Sequence, residues 1–189
     1  MNGWKKKRDI MQRYNVTAHM YDMRYADEQT CKIKAALKHM KIEERDVVLD
    51  VGCGTGVLFD HVSENAESIV GLDISRESLL QAKERAGRFE NVQLMWADAD
   101  NMPFKSSAFN SVFAMTILQN MPEPKETLNE IKRVTATDSQ IVVTGLKKIF
   151  TKRTFERLLD SAGLKIMSFE DEDLRCYVAV CVRTGSSSL

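Results

Sequence analysis

The feature that most constrains this chain is a short apolar run that contains an acid and opens directly into a glycine-rich loop. The run covers residues 47–51, its acid is Asp50, and glycines follow at positions 52, 54 and 56. Glycine suits such a loop because it turns with positive φ and lets backbone amides approach a ligand without a Cβ in the way. With a helix N-terminus facing the same ligand, the pattern predicts binding of a nucleotide-like cofactor.

The nearest alternative is a dinucleotide-binding turn, which uses G-x-G-x-x-G to seat a pyrophosphate. The spacing here departs from that fingerprint, and position 57 is Val57. The segment resembles instead the first motif of the class I S-adenosylmethionine-dependent methyltransferases, roughly hhhDhGCGTG, in which h is apolar. The resemblance implies that the loop holds the methionine part of the cofactor and that Asp50 lies near its amino and carboxylate groups.

Two further apolar runs end in an acid, in the order that this family requires. Asp73 ends the first, where a carboxylate can accept hydrogen bonds from both ribose hydroxyls. The resemblance implies that Ile74 packs against the adenine face. Asp98 ends the second, where the resemblance implies that its carboxylate accepts from the adenine amino group and that the Ala99 amide donates to a ring nitrogen.

The predicted cofactor-binding residues are therefore the glycine loop, the three acids and their neighbours: Asp50, Gly52, Cys53, Gly54, Thr55, Gly56, Asp73, Ile74, Asp98, Ala99 and Met115. The segment 102–104 resembles a continuation that is frequent in the family, and the segment 109–124 resembles the quinone-biosynthesis-type (methyltransferase domain 11) subfamily. No metal is expected, because the cysteines have no C-x-x-C pair and only three histidines could join them.

Apolar runs alternate with helical patterns, which is typical of a parallel sheet covered on both faces. Strands are predicted at 47–51, 68–72, 92–96, 110–115, 139–144, 164–170 and 175–183. Ser75 and Thr151 are expected to cap helices, Pro122 or Pro124 to begin one, and Gly163 to end one. The resemblance implies one Rossmann-like, doubly wound α/β domain with a seven-stranded, mostly parallel sheet of order 3-2-1-4-5-7-6 and an antiparallel last strand.

Three regions are expected along the chain: an N-terminal helical lid or extension at 1–44, the methyltransferase domain at 45–183 and a flexible tail at 184–189. The lid resembles a Y-x-x-x-A-x-x-Y-D segment that folds over the cofactor in many family members. A helix packed on the sheet without ligand contact is the alternative.

The substrate-side wall is predicted to contain polar and aromatic residues of the lid and of the segment after the fourth strand: Tyr14, Tyr21, Thr116, Gln119 and Asn120. Catalytic residues stay unassigned, because methyl transfer chiefly needs alignment of the acceptor and no base is obligatory. The subfamily commonly has His where this chain has Asn120. Relatives also have a glycine pair before strand five, which the segment 133–139 lacks.

The charge and hydropathy of the chain limit the partners and the compartment that we expect for it. The chain has 27 basic and 27 acidic side chains, so no overall charge favours nucleic acid. No apolar stretch is long enough for a membrane span and the start lacks a signal-peptide core, so a cytoplasmic protein is expected. Basic clusters at 5–8 and 147–153 favour tRNA or another translation-related macromolecule as the methyl acceptor, whereas the zero net charge and the compact chain favour a small metabolite. A non-catalytic cofactor-binding or scaffold subunit is the third alternative.

The resemblance places the third strand, residues 92–96, at a sheet edge, where an exposed apolar strand invites pairing. The sequence therefore suggests a partner protein that adds a strand here, such as the small zinc-ribbon activators that bind some methyltransferases of translation-related substrates. Coverage of Met95 and Trp96 by a helix is the alternative.

Overall fold

The computed structural model describes residues 3–184, apart from the side chain of Tyr21; the predicted tail beyond Thr184 lies outside this range. Its elements are α1 (Gly3–Leu37), β1 (Val47–Val51), α2 (Phe59–Val62), β2 (Ser68–Asp73), α3 (Arg76–Ala86), β3 (Val92–Trp96), β4 (Phe109–Ala114), a 3-10 turn (Leu118–Asn120), α4 (Pro124–Val134), β5 (Thr135–Leu146), α5 (Lys152–Ser161), β6 (Leu164–Glu170) and β7 (Cys176–Arg183).

The seven strands form one sheet of order β3-β2-β1-β4-β5-β7-β6. β1 runs parallel to β2 and β4, β3 parallel to β2, and β5 parallel to β4, whereas β7 is antiparallel to both β5 and β6. The predicted fold class, strand order and antiparallel last strand are confirmed. The carboxyl ends of β1, β2, β3 and β4 consequently meet along one rim of the sheet.

Alternate strand residues enter two separate apolar cores, one on each face of the sheet. Val48 packs with α2, α3 and the C-terminal part of α1, whereas Leu49 packs with α4 and α5. Each fully buried side chain of this size contributes roughly 1.5–3 kcal/mol to folding. Burial on both faces explains why the central strands are continuously apolar.

The predicted helix boundaries follow from local hydrogen bonds. The Ser75 hydroxyl accepts from the Ser78 amide at 3.1 Å, and the Thr151 hydroxyl accepts from the Thr154 amide at 3.2 Å. Each cap is worth about 1 kcal/mol. Pro124, the second of the two prolines considered, begins α4, and Gly163 has a φ of 72° just after α5.

The prediction for the fifth strand was wrong at its start. β5 begins at Thr135, directly after α4, and not at position 139. Asp138 takes a φ of 60° within the strand, and the pairing with β4 shifts register between Phe109 and Ser111. The segment that lacks the family's glycine pair is therefore a bulged strand, because Asp tolerates the left-handed conformation.

The long helix α1 is anchored unevenly. Its C-terminal part buries Ile33, Ala35 and Ala36 in the core, whereas Ala18 is the sole buried residue among the described side chains of its first 26 residues. The N-terminal part is thus held mainly by polar contacts. Within residues 3–184, no helix has the length and apolarity required to cross a bilayer.

Candidate cofactor and acceptor cleft

A cleft of roughly 750 Å³, open solvent included, lies at the rim where β1 to β4 end. A smaller adjoining cavity lies under α1 and shares Gly52, Gly54 and Met115 with the cleft. Ten of the eleven residues predicted to bind the cofactor line one or both of these spaces: Asp50, Gly52, Cys53, Gly54, Thr55, Asp73, Ile74, Asp98, Ala99 and Met115.

Gly56, the eleventh, lines neither space. It has a φ of 80°, and a Cβ placed there would overlap the ring of the fully buried Phe59. The structure therefore gives Gly56 a packing role under the loop.

Gly54 differs from Gly56 in what surrounds it. Its φ is also positive, 56°, yet a Cβ built on it would meet nothing within 4 Å. Its amide donates to Asp73 Oδ2 at 2.9 Å, which fixes the loop against the end of β2. The glycine at this position leaves the backbone bare beside the cleft, as close approach of a ligand requires.

Asp73 lies at the end of β2 with its carboxylate held by backbone donors. It accepts from the amides of Gly54 at 2.9 Å and Ser75 at 2.7 Å. Burial raises the pKa of Asp73, while these amide hydrogen bonds lower it. A carboxylate fixed in this way is positioned to accept hydroxyl groups from a ligand in the cleft.

Asp50 is 3% exposed. The pKa of Asp50 is raised from 3.8 to about 8, mainly by burial and to a smaller extent by the negative charge of Asp73. A buried acid in this state favours a cationic group, so the site fits the ammonium end of an amino-acid moiety.

The raised pKa of Asp50 predicts pH-dependent ligand binding. Asp50 retains its proton in the folded protein up to about pH 8 but loses it near pH 4 when unfolded, so its contribution to stability is lost as pH rises from 4 through 8. An ammonium-bearing ligand needs Asp50 ionised. The sequence resemblance implies S-adenosylhomocysteine as the product that the cofactor leaves. We expect its dissociation constant, measured by calorimetry, to fall from pH 6 to pH 8 by up to about tenfold per unit. Asp50→Asn should flatten this dependence, and an equal affinity of the wild type at both pH values would contradict it.

α1 crosses the cleft and contacts each segment of the rim through a polar side chain. Lys7 forms an ion pair with Asp98 at 2.6 Å, and Asn15 Oδ1 accepts from the Ser75 hydroxyl at 2.7 Å. Further along, Asp22 Oδ1 accepts from the Thr55 hydroxyl, and Gln29 Oε1 accepts from the Thr116 hydroxyl at 3.2 Å. Sequence reasoning missed these four α1 residues. The seven-residue spacing of Asn15, Asp22 and Gln29 was the available signal, since it places them on one helix face.

Three of the predicted substrate-side residues line the cleft: Tyr14, Thr116 and Asn120. The Asn120 amide donates to the Tyr14 hydroxyl at 3.1 Å and to the Thr116 carbonyl at 3.2 Å, which joins α1 to the segment after β4. Gln119 lies outside the lining and donates to the same carbonyl at 2.5 Å. The side chain of Tyr21 is outside the described part of the chain.

Thr116 adopts an unusual backbone conformation. Its φ is 61°, which is rare for a β-branched residue and is typically retained at functional sites. Its amide donates to the Thr144 hydroxyl at 2.7 Å, and its own hydroxyl accepts from the buried Lys32 at 3.1 Å. These hydrogen bonds offset a strain of about 1–3 kcal/mol and fix the wall of the cleft.

A seven-stranded sheet of this order, with a glycine loop after β1 and acids at the rim of β1, β2 and β3, defines the class I methyltransferase fold. Residues 42–172 match a family of known proteins described as a methyltransferase domain. The chain belongs to this family. S-adenosylmethionine is the cofactor of the family, as the sequence predicted.

Individual relatives agree with this assignment. The chain is 30% identical over 144 residues to the malonyl-[acyl-carrier protein] O-methyltransferase of Marinomonas sp. (strain MWYL1), covering 75% of this chain and 53% of that protein. It spans about half the length of the curated relatives it matches, which include demethylmenaquinone methyltransferases of staphylococci.

Two solved structures show the same fold at low sequence identity. The Burkholderia thailandensis 1,6-didemethyltoxoflavin-N1-methyltransferase, with bound 1,6-didemethyltoxoflavin and S-adenosylhomocysteine, has a TM-score of 0.83 at 14% identity and covers 98% of this chain and 92% of that one. A methyltransferase in complex with the Haloferax volcanii Trm112 methyltransferase activator has a TM-score of 0.76 at 18% identity, covering 91% of this chain and 98% of that one.

Proposed function

We propose that the chain transfers a methyl group from S-adenosylmethionine to a small-molecule acceptor bound between α1 and residues 116–121. The observation that supports this most is the position of α1 across the cleft. Tyr14 contacts Asn120 there, and Lys6 donates to the Met121 carbonyl at 2.6 Å. An acceptor must fit beneath this helix, which favours a small molecule over a folded RNA or protein.

The cofactor-binding residues are proposed from their places in the cleft. Asp50 binds the amino-acid end, Asp73 the ribose, and Asp98 with the Ala99 amide the adenine, while Ile74 packs on the base. Of the predicted set, Gly56 is assigned to packing. We propose the regions 1–44, 45–183 and 184–189 as cover, methyltransferase domain and tail.

In the reaction, the chain itself positions the acceptor and shields the cleft from water. S-adenosylmethionine, when bound, supplies an electrophilic methyl group on a sulfonium that is itself the leaving group. Tyr14 and Asn120 orient the acceptor by hydrogen bonding, and Ile10, Ile117 and Met121 exclude water from the cleft. Alignment of this kind supplies much of the rate enhancement in two-substrate reactions.

The test is transfer of radiolabelled methyl groups from S-adenosylmethionine into cell extract separated into small molecules, RNA and protein. We expect label in the small-molecule fraction. Asn120→Ala should reduce the transfer by about tenfold or more, the loss of one or two orienting hydrogen bonds, with the affinity for S-adenosylhomocysteine retained. Label found only in RNA or protein would contradict a small acceptor. Absence of label from all three fractions would favour a non-catalytic subunit.

A second candidate, a translation-related acceptor with a small zinc-ribbon activator, is favoured by the sheet edge. Trp96 is 66% exposed and Met95 is 37% exposed on β3, which pairs with β2 alone among the described strands. Such an edge can accept a further strand. The Haloferax methyltransferase bound to an activator has the same fold.

The cationic clusters give this second candidate less support than the edge does. Lys7 and Lys6 are engaged with the cleft rim, and Lys147 and Lys152 both contact Asp171. Co-purification with a co-expressed zinc-ribbon protein tests the candidate: Trp96→Asp should abolish the complex. Met167→Asp, on the exposed β6 edge, is the matched control and should not. If the wild-type protein does not co-purify with the zinc-ribbon protein, the second candidate is excluded.

A further inference from the structure

The ion pair between α1 and the adenine end of the cleft involves one lysine and two acids. Lys7 Nζ lies 2.7 Å from Asp98 Oδ1, 2.6 Å from Asp98 Oδ2 and 2.5 Å from Asp100 Oδ2. The Lys7 side chain is 11% exposed, and those of Asp98 and Asp100 are 26% and 21% exposed. Partly buried pairs of this kind are screened less than surface pairs.

Lys7 occupies the part of Asp98 that a ligand would need. Nearly equal distances to the two oxygens place Nζ on the open edge of the carboxylate, between them. Asp98 Oδ1 also accepts from the Asp100 amide at 3.0 Å, so both lone pairs of this oxygen are engaged. An amino group of a base that approaches Asp98 from the cleft therefore meets the Lys7 ammonium at the same edge.

Asp100 gives Lys7 a second site. One Asp100 oxygen accepts from the Thr127 hydroxyl of α4, which fixes the carboxylate, and the other faces Lys7. Lys7 can thus leave Asp98 without losing an acidic partner, so the exchange does not strand a buried charge.

The part of α1 that carries Lys7 has little buried apolar surface among its described side chains. The described contacts that hold this end to the rim include polar ones, such as Lys6 to the Met121 carbonyl and Asn15 to Ser75, and Ala18 is its buried apolar contact. A segment with so little buried apolar surface opens at low free-energy cost.

We propose that Lys7 is an intramolecular competitor of the adenine base: it holds Asp98 until the base binds, and then moves to Asp100 alone. The inference rests on the proposed cofactor site. It makes cofactor affinity a balance between the adenine contact and the Lys7 ion pair, and it links cofactor exchange to the start of α1.

The test is calorimetric titration with S-adenosylhomocysteine of the wild type, Lys7→Met and Lys6→Met. We expect Lys7→Met to bind about 5- to 20-fold more tightly, as loss of one partly buried competing ion pair implies. Lys6→Met, one residue away and bonded to a carbonyl, is the control and should not bind more tightly. Unchanged or weaker binding by Lys7→Met would overturn the proposal.

A second variant changes the balance in the opposite direction. Asp100→Asn keeps the acceptor for Thr127 but removes the charge to which Lys7 moves, so the affinity should fall severalfold, and the double variant with Lys7→Met should not show this fall. Equal losses in both backgrounds would contradict the exchange. A wild type that binds no S-adenosylhomocysteine would instead reject the cofactor site itself, and the inference with it.

Discussion

Replacing Asp73 with alanine is expected to weaken S-adenosylhomocysteine binding by at least about 100-fold, because two charge-assisted hydrogen bonds of about 1.5–3 kcal/mol each are lost. The geometry supports this figure. Asp73 is fixed by the amides of Gly54 and Ser75 before any ligand arrives, so no ordering cost reduces its contribution. The measurement is a calorimetric titration.

The control for Asp73→Ala is another acid of the same region that lies outside the cleft. Asp60 forms ion pairs with Arg85 and Arg88 near the glycine loop and lines neither cavity. Asp60→Ala should bind S-adenosylhomocysteine within about threefold of the wild type, as expected for a surface ion pair. If Asp73→Ala also stays within that range, Asp73 does not hold the ribose.

Alanine substitutions at two glycines of one loop should have different effects: Gly56→Ala should mainly lower stability, and Gly54→Ala should mainly weaken ligand binding. Gly56→Ala adds left-handed strain and an overlap with Phe59, about 3 kcal/mol together, and should lower the melting temperature by about 6–12 °C in a domain of this size. Gly54→Ala adds only the strain, since its Cβ enters open space. That Cβ lies beside the cleft, so the affinity for S-adenosylhomocysteine should fall although the fold persists.

Thermal unfolding of both variants, followed by titration of those that fold, provides the comparison. Packing of the loop on Phe59 requires the larger loss of stability in Gly56→Ala. A loss that is equal in the two variants, or larger in Gly54→Ala, would show that the loop does not pack on Phe59 as described.

The sheet and its rim were predictable because their signals are local. Each strand before an acid is a short apolar run, and acids that end parallel strands must share one edge of the sheet. Asp50, Asp73 and Asp98 could therefore be placed together once the resemblance to the methyltransferase family supplied the strand order. Caps such as Ser75 depend on contacts three residues apart, so they were predictable for the same reason.

The contacts that two lysines of α1 make with the cleft were not predictable in this way. Lys7 meets Asp98 across 91 residues of sequence, and Lys32 meets Thr116 across 84. A basic run at the start of a chain is usually solvated, and neither charge nor periodicity marks which lysine turns inward. The left-handed Thr116 is also set by long-range partners, since a β-branched residue does not favour that conformation itself.

The most direct test of the central claim is a crystal structure of the chain grown with S-adenosylhomocysteine. We expect the ligand along the rim of β1 to β3, with its amino-acid end at Asp50, its ribose at Asp73 and its base at Asp98. A cleft without ligand at saturating concentration, or a ligand whose ribose lies away from Asp73, would contradict the account.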